Sequence, residues 1–235
     1  SAYACVTPEE RELGVALIEI GAQVTNISVH SAGMLLGLKS IPIGSNDITD
    51  ALASSFGIRR SQAERLKCVS GSAMASPTDH SEMIPVNAPG EEGEGPLARG
   101  ADEHNRISRA ELVAVVTDRL AHLTGEMHRA LKDMGFTGNR GGQVVLAGGG
   151  AELHGIAEFV QAALGRPVRI GKPPRLQGLP EAHATPGFAS LVGLCLYAAD
   201  DPVDIRSVDP GYQPTRRYSG LGLVNRVFQA VREYF

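Results

Sequence analysis

The chain has 235 residues, of which 43% are apolar and 20% charged, a balance typical of a globular protein rather than a disordered or fibrous one. Its net charge of −4 provides no overall attraction to nucleic acid, so any attraction to an anionic surface must be local. No apolar run is long enough to span a bilayer, and residues 1–11 lack the basic and apolar parts of a signal peptide. Because the chain begins with Ser rather than Met, we expect an N-terminal truncation.

The first part of the chain predicts a three-stranded meander followed by two helices. Apolar or alternating runs between glycine turns indicate strands at residues 14–20, 24–30 and 35–43. Residues 45–56 then switch to helical spacing, with Gly57 as the C-cap. A second helix is predicted at 61–69, with a capping box formed by Ser61 and Glu64. The face shared on the first helix consists of Ile48, Leu52, Ser55 and Phe56.

The middle of the chain predicts a short strand, a loop and the longest helix. The strand is expected at 82–86, and the Gly-rich, acidic stretch 90–103 is expected to be a mobile loop. The helix is predicted at 108–134, with Ser108 as N-cap and Gly135 at its end. Its predicted buried stripe contains one polar residue, Arg119, and otherwise Leu112, Val115, Val116, Leu120, Leu123, Met127, Ala130, Leu131 and Met134.

The last part predicts a buried strand at 143–147 that runs into three glycines and a helix at 152–164. The remaining predicted elements are a strand at 167–170, a helix at 188–199, a Pro- and Gly-rich linker and a helix at 221–235. This order of elements predicts an α/β fold, one lobe of an actin-like (RNase H-like) fold with an inserted small α/β subdomain and a C-terminal amphipathic helix.

Several common catalytic and metal-binding patterns are missing from the sequence. Cys5, Cys68 and Cys195 are far apart and form no C-x-x-C, which favours buried, reduced thiols. The seven histidines form no H-E-x-x-H, and neither a P-loop nor a G-x-S-x-G elbow is present. We therefore predict no catalytic and no metal-ligating residue in this chain.

The run VVLAGGGAELHG, residues 144–155, is the first candidate binding element. Glycines without a Cβ let the backbone approach a ligand closely, and a following helix offers unpaired N–H groups. A tight strand-to-helix turn explains the same residues equally well. The run is not a dinucleotide fingerprint, because Leu153 stands where the third glycine would be.

Two further elements can be interpreted either as structural features or as binding sites. In the hairpin EIGAQVTN, Glu19 at a strand end could hold Mg²⁺ or a phosphate-bound water, but an ordinary hairpin is favoured. Glu64 and Lys67 are three residues apart and so share a helix face. They could bind a ribose or form a surface ion pair. The ion pair is the usual interpretation of a Glu and a Lys at this spacing.

The C-terminal residues predict an amphipathic helix that lies in the membrane plane, although a helix docked on the core gives the same pattern. The apolar positions follow helical spacing, and two basic residues lie on the other side. The predicted membrane residues are Leu221, Val224, Val227, Phe228, Val231 and Phe235, with Arg226 and Arg232.

Four segments together resemble FtsA, the actin-like protein that tethers the FtsZ ring to the membrane. They are TPEERELGVALIEIG, the helix pair IPIGSNDITDALASSFGI with SQAERLK, VVLAGGGAELHGI, and the tail VNRVFQAVREYF. The resemblance covers nearly the whole chain. It implies an actin-like large subdomain at 1–69 and 141–200, an inserted small subdomain at 70–140, a linker at 201–220 and a membrane-targeting helix at 221–235.

The resemblance also implies a cofactor, ATP with Mg²⁺, and its contacts. Gly148, Gly149 and Gly150 would face the adenosine, Glu64 and Lys67 the ribose and base, and Gly21 would sit at the second phosphate loop. Implied partners are the FtsZ C-terminal peptide, other copies in a filament and an anionic membrane surface. The candidates for the acidic FtsZ peptide are Arg106, Arg109 and Arg119. The implied location is the cytoplasmic face of the inner membrane at the septum.

One segment departs from the family pattern. The family's phosphate loop reads like D-x-G-G-G-T, whereas here Glu19 replaces the Asp, and Ala22, Gln23 and Val24 replace Gly, Gly and Thr. An actin-type site also lies between two lobes. We therefore expect this chain alone neither to hydrolyse ATP nor to bind it tightly. The alternatives are an ATPase whose turnover is the function and a pilus-assembly actin-like adaptor.

Overall fold

The computed structural model describes residues 1–86, 106–137, 142–177 and 180–200. The predicted loop at 90–103, the linker at 201–220 and the helix at 221–235 lie outside these ranges. In the described part, the strands are β1 (Val15–Ile20), β2 (Thr25–Ser31), β3 (Met34–Ile41), β4 (Met83–Pro85), β5 (Arg106–Ser108), β6 (Gln143–Ala147) and β7 (Val168–Ile170). The α-helices are α1 (Ala2–Cys5), α2 (Pro8–Leu13), α3 (Ser45–Phe56), α4 (Arg60–Ser70), α5 (Arg109–Asp133), α6 (Ile156–Leu164) and α7 (Ala189–Ala199).

The central sheet has five strands in the order β3-β2-β1-β6-β7. The meander β1-β2-β3 is antiparallel, whereas β6 runs parallel to β1 and β7 parallel to β6. Because Glu19 on β1 is opposite Ala147 on β6, both strands end at the same edge of the sheet. The hairpin turn after β1 and the glycines after β6 therefore leave the sheet side by side.

Helices cover both faces of this sheet, which explains why β1 is a continuous apolar run rather than an alternating one. One face of β1 and β6 packs in a large core together with residues of α3, α5 and α6. That core includes Ile18, Ile20, Leu52, Leu120, Leu146 and Val160. The opposite face packs in a smaller core with the N-terminal residues and α7, namely Val15, Leu17, Val145, Ala147, Cys5, Val6 and Ala189. The mixed α/β fold predicted from the sequence is confirmed.

The longest helix begins where its capping signal predicts. The Glu111 amide donates to the Ser108 hydroxyl at 3.2 Å, and the Ser108 amide donates to the Glu111 carboxylate at 2.9 Å. The two groups satisfy each other's unpaired donors at the helix start. Ser108 also ends β5, which pairs antiparallel with β4. The strand predicted at 82–86 is thus present as half of a two-stranded sheet.

The predicted buried stripe of α5 is wrong at Arg119. Its side chain is 47% exposed and forms an ion pair with Asp118 at 3.0 Å. Buried instead are Val113 and Thr124, and the Thr124 hydroxyl donates to the Leu120 carbonyl at 2.9 Å, so burial leaves no donor unpaired. Val115 and Met134 are only half-buried.

Other sequence predictions need local correction. On α3, Ser55 is exposed and Thr49 is buried, because Thr49 has polar partners inside. Helix α4 begins earlier than predicted, and its N-terminal contact runs from the Arg59 amide to the Gln62 side chain rather than between Ser61 and Glu64.

The remaining corrections concern the glycine loop, the N-terminus and the thiols. The helix predicted at 152–164 begins only at Ile156, after a 3-10 turn at Gly149–Glu152. Helices α1 and α2 were not predicted. Cys5 is buried as expected, whereas Cys68 and Cys195 are exposed.

Candidate nucleotide site

A cavity of about 500 Å³ opens between α4 and the segment that follows β6. It brings together four of the six predicted nucleotide contacts, Glu64, Lys67, Gly149 and Gly150. Cys68 on α4 and Leu153 and His154 after β6 also line it. The other walls come from the end of β1, the start of α3 and α5, and include Ile20, Ser45, Ile48, Arg109 and Leu120. Gly21 and Gly148 are not among the lining residues described.

The three positions after β6 differ in whether the structure requires a glycine there. Gly148 has φ +84°, and a Cβ there would lie 2.4 Å from the Ile20 carbonyl oxygen. A Cβ at Gly150 would lie 2.3 Å from the Ile20 Cγ2 atom. At Gly149, by contrast, a Cβ would meet nothing within 4 Å. Gly148 and Gly150 are therefore required for packing against β1, and Gly149 is the position with free space beside the cavity.

The opposite wall contains a closed polar network formed by α3 and α4. The Lys67 ammonium donates to the Glu64 carboxylate at 2.8 Å and to the Thr49 hydroxyl at 2.8 Å. The Thr49 hydroxyl donates to the same Glu64 oxygen at 2.5 Å. Lys67 and Thr49 are buried, whereas the Glu64 side chain is 45% exposed. Glu64 and Lys67, predicted to form a surface ion pair or to bind a ribose, thus belong to a half-buried cluster on a cavity wall.

The pKa of Glu64 follows from this network. Burial acts to raise the pKa of the carboxyl group, but the hydrogen bonds from Lys67 and Thr49 outweigh it and lower the pKa below the usual 4.5. Glu64 is therefore ionised near neutral pH. It presents hydrogen-bond acceptors and no donor to whatever occupies the cavity.

The hairpin turn at the end of β1 is engaged with α3. The amides of Ser45 and Asn46 donate to the carbonyl oxygens of Gly21 and Ala22 at 2.9 and 2.8 Å. These bonds satisfy two N–H groups at the start of α3 that would otherwise lack helical partners. Ala22, Gln23 and Val24 are exposed. The turn is held by its carbonyl groups, and its substituted side chains face outward.

Glu19, at the end of β1, has a partner on the other face of the sheet. Its carboxylate accepts a short hydrogen bond from the Ser190 hydroxyl on α7, and Ser190 is also paired with the Ser1 hydroxyl at 2.7 Å. The described residues contain no group of three or more His, Cys, Asp or Glu placed to hold a metal ion. Glu19 is therefore bonded to α7 rather than grouped with other metal-ligating side chains of the described residues.

The three arginines predicted to contact a partner differ in exposure and in their ion pairs. Arg106 and Arg119 are exposed, on β5 and α5. Arg109 is only 28% exposed and forms ion pairs with Asp79 at 3.3 Å and Glu82 at 3.2 Å. Because Asp79 is buried, Arg109 is tied to the segment before β4. Arg109 also lines the cavity, a placement that sequence spacing did not suggest.

The family model for cell division protein FtsA matches residues 16–193 of this chain. The chain belongs to the FtsA family. FtsA of Agrobacterium fabrum (strain C58) is 33% identical over 236 residues, covering 100% of this chain and 51% of the relative. FtsA of Escherichia coli K12 is 31% identical over 204 residues, covering 85% of this chain and 47% of the relative. The chain spans about half the length of the curated FtsA proteins it matches.

Solved structures show the same fold at low sequence identity. MreB5 of Spiroplasma citri bound to ADP superposes with a TM-score of 0.63 at 17% identity, covering 85% of this chain and 57% of that one. A PilM-PilN type IV pilus biogenesis complex gives a TM-score of 0.56 at 19% identity, covering 80% of this chain and 47% of that one. The predicted actin-like fold of this FtsA-family chain is therefore confirmed.

Within the FtsA fold, two signals for the site were missed. Thr49 was missed because the predicted buried face of α3 consisted of Ile48, Leu52, Ser55 and Phe56, which left Thr49 outside it. Cys68 follows Lys67 directly, and its thiol donates to the second Glu64 oxygen at 3.5 Å.

In the described residues, no helix is long and apolar enough to cross a membrane.

Proposed function

We propose that this chain is part of a cell-division protein that attaches the FtsZ ring to the cytoplasmic face of the inner membrane at the septum and helps to assemble the divisome. Its nucleotide site is incomplete, because an actin-type site needs a second lobe. Membership of the FtsA family supports the cell-division role. The single observation that carries the membrane role is the amphipathic pattern of residues 221–235.

Membrane binding by residues 221–235 would come from their side-chain chemistry. Six apolar residues at helical spacing, partly inserted, contribute on the order of 1–2 kcal/mol each, which competes with the cost of ordering the segment. Arg226 and Arg232 add about 1 kcal/mol each beside an anionic leaflet. A single segment therefore binds weakly. Self-association into filaments would make attachment firm by presenting many segments at once.

Co-sedimentation with vesicles tests the membrane role. The full chain should pellet with anionic phosphatidylglycerol vesicles and less with neutral phosphatidylcholine vesicles, and deletion of 221–235 should abolish the difference. Phe228→Asp on the apolar side should weaken binding strongly, whereas Asn225→Asp adds the same charge on the polar side and serves as the control. Equal pelleting of the full and shortened chains would remove the membrane role.

The proposed protein partner is the acidic C-terminal peptide of FtsZ, with Arg106, Arg109 and Arg119 as candidate contacts. The exposure of Arg106 and Arg119 supports a direct contact, whereas the ion pairs of Arg109 favour holding the local structure. Fluorescence anisotropy with a labelled peptide tests this assignment. Arg106→Glu and Arg119→Glu should weaken binding, and Arg60→Glu, at an exposed arginine on α4, should not.

The proposed ligand of the cavity is the nucleoside part of ATP, contacted by Glu64 and by the loop at Gly149. Gly148 and Gly150 shape that loop, Lys67 completes the wall, and Gly21 marks the turn nearest to the phosphates. Turnover is not proposed for this chain. Calorimetry should show weak ATP binding, and a dissociation constant below about 1 µM for the chain alone would contradict an incomplete site.

A further inference from the structure

An apolar patch lies on β3, the edge strand of the central sheet. The patch, called the edge patch below, has four side chains that are 56–66% exposed, namely Met34, Leu35, Leu36 and Leu38. None of the four belongs to either hydrophobic core of the described residues. Large apolar side chains gathered in this way on a soluble domain mark a surface that another molecule covers.

The side of β3 that faces α5 is closed by two other residues. A Cβ at Gly37 would lie 3.0 Å from the Met134 sulfur atom, so α5 passes directly over the strand there. Two residues further on, the Lys39 ammonium forms an ion pair with Asp133 at 2.5 Å. Because side chains alternate along a strand, Leu38, between Gly37 and Lys39, points to the other side of the sheet.

On that other side, β2 separates the edge patch from the smaller core. Leu38 lies opposite Ser28, and Leu35 lies opposite His30. The Ser28 hydroxyl and the His30 ring are hydrogen-bonded to each other at 3.2 Å. This polar pair lies between the edge patch and β1, whose residues belong to the smaller core. The edge patch is therefore a separate apolar surface rather than an extension of that core.

The edge of the sheet is shaped against the addition of a further strand. Leu36 has no opposite residue on β2, because the register of the two strands shifts between Val29 and His30. An extra residue of this kind bends an edge strand and interrupts its ladder. Bulges and lysines on edge strands both discourage continuous pairing. The edge patch is therefore suited to a contact made by side chains.

The charges on β3 favour an uncharged partner. Lys39 is the only ionisable residue of the strand, and it is paired with Asp133. A charged peptide or a lipid headgroup would therefore gain no ion pair at the edge patch. The matching partner is an apolar surface of similar size. The edge patch of a second copy of this chain is such a surface.

We propose that the edge patches of two copies pack against each other about a two-fold axis near Leu35 and Leu36. Such a contact uses the same surface on both copies and closes at two. The patch and its backbone offer on the order of 500 Å² per copy, less than the roughly 800 Å² per partner of a stable complex, so the dimer is weak. The contact goes beyond the proposed function, because it closes at two copies and cannot by itself lengthen a filament.

Analytical ultracentrifugation of the full chain between about 10 µM and about 1 mM tests the association. The mass should rise towards that of a dimer and no further. Leu35→Asp with Leu36→Asp brings four carboxylates together at the axis and should raise the dissociation constant at least tenfold. Leu194→Asp, at a leucine of α7 that is 66% exposed, is the control and should change it less than twofold.

Three outcomes of this experiment would overturn the proposal. They are the absence of association at the highest concentration, assembly beyond the dimer, and a loss from Leu194→Asp as large as that from the double substitution. Circular dichroism confirms that each variant is folded. The substituted leucines are exposed and lie outside both cores, so folding should be retained.

Disulfide trapping tests the two-fold axis independently. The background chain carries Cys68→Ser and Cys195→Ser, which removes the exposed thiols. A disulfide needs Cα atoms within about 7 Å, so a single cysteine links two copies efficiently only beside the axis. With a mild oxidant that accepts the two electrons released by the thiols, Leu36→Cys should give a covalent dimer. Ser55→Cys, exposed on α3, should stay monomeric.

The cross-linking result decides the geometry of the contact. Efficient linking through Leu36→Cys alone supports two edge patches that face each other. Equal linking through Leu36→Cys and Ser55→Cys, or none through Leu36→Cys in a chain that still dimerises, would overturn the two-fold contact. The vesicle experiment decides the membrane role separately, since its readout does not depend on β3.

Discussion

The two segments that leave the sheet edge side by side, the glycine loop after β6 and the hairpin turn after β1, have different relations to a ligand. The glycine loop borders the cavity, and its middle residue has open space beside it. The hairpin turn instead directs two carbonyl groups to the first amides of α3. Its residues Ala22, Gln23 and Val24 point outward, where the family pattern has glycines and a threonine.

This difference indicates that the two segments are under different constraints. The glycine loop borders the cavity opposite the wall of α3 and α4, where Lys67, Thr49 and Glu64 form a network of hydrogen bonds. The hairpin turn is fixed by backbone bonds that do not depend on its side chains. It can therefore change sequence without disturbing the fold.

The largest expected effect is on the glycine loop. Gly148→Ala should lower the free energy of unfolding by about 3 kcal/mol, because a Cβ would meet the Ile20 carbonyl in a backbone conformation that only glycine adopts readily. Gly149→Ala should change it by no more than about 1 kcal/mol but should weaken ATP binding, since the methyl group enters the space beside the cavity. Urea unfolding and NMR titration measure the two effects. Equal destabilisation by both substitutions would remove the distinction between the glycines.

A smaller loss of stability is expected at Thr49. Thr49→Val should cost about 1–3 kcal/mol, because the buried Lys67 ammonium loses one of its acceptors and Glu64 loses a donor. Thr124→Val on α5 is a matched control. Its hydroxyl is also buried but donates only to backbone carbonyls of its own helix, so the expected cost is below about 1 kcal/mol. If chemical denaturation gave equal losses of unfolding free energy for both substitutions, the network would contribute no additional stability.

The acid dependence of stability should report on Glu64. Its pKa is lower in the folded chain than the ordinary 4.5, so the unfolded chain binds its proton first as the pH falls. The stability that Glu64 contributes is therefore fully present above about pH 4.5 and is lost as the pH falls through the folded-state pKa. Glu64→Gln should make the free energy of unfolding depend less on pH below about 4.5, by a modest amount because the side chain is partly exposed. Unchanged pH dependence would contradict a carboxylate stabilised by Lys67.

Sequence reasoning found those elements whose signal is local. The strands β1 and β6 are continuous apolar runs, and α5 starts at a capping box, so each could be predicted from neighbouring residues. The short helices α1 and α2 were also missed, although α2 has a local signal: Thr7 and Glu10 form a capping box, and Pro8 begins the helix. Both segments are further held by a tertiary contact, because Arg169 on β7 donates to the Cys5 carbonyl and to Glu10 at 2.7 and 2.6 Å.

The site could be predicted only in part for a similar reason. The pattern placed Glu64, Lys67 and the glycines near a common ligand, and four of the six residues do line one cavity. It could not separate Gly148 from Gly149, because the deciding contact is with Ile20, far away in the sequence. It also could not identify Thr49, whose burial depends on a lysine 18 residues further along the chain.

The smallest effect is expected from restoring the hairpin turn to the family pattern. Ala22→Gly, Gln23→Gly and Val24→Thr together should change ATP affinity by no more than about 1 kcal/mol, because the turn stays bonded to α3 through the Gly21 and Ala22 carbonyl groups and the added glycines must be ordered. Gly149→Ala should outweigh this gain when all four changes are combined. A gain of tenfold or more in the titration would show instead that the three substituted side chains, rather than the incomplete site, limit binding by this half of the protein.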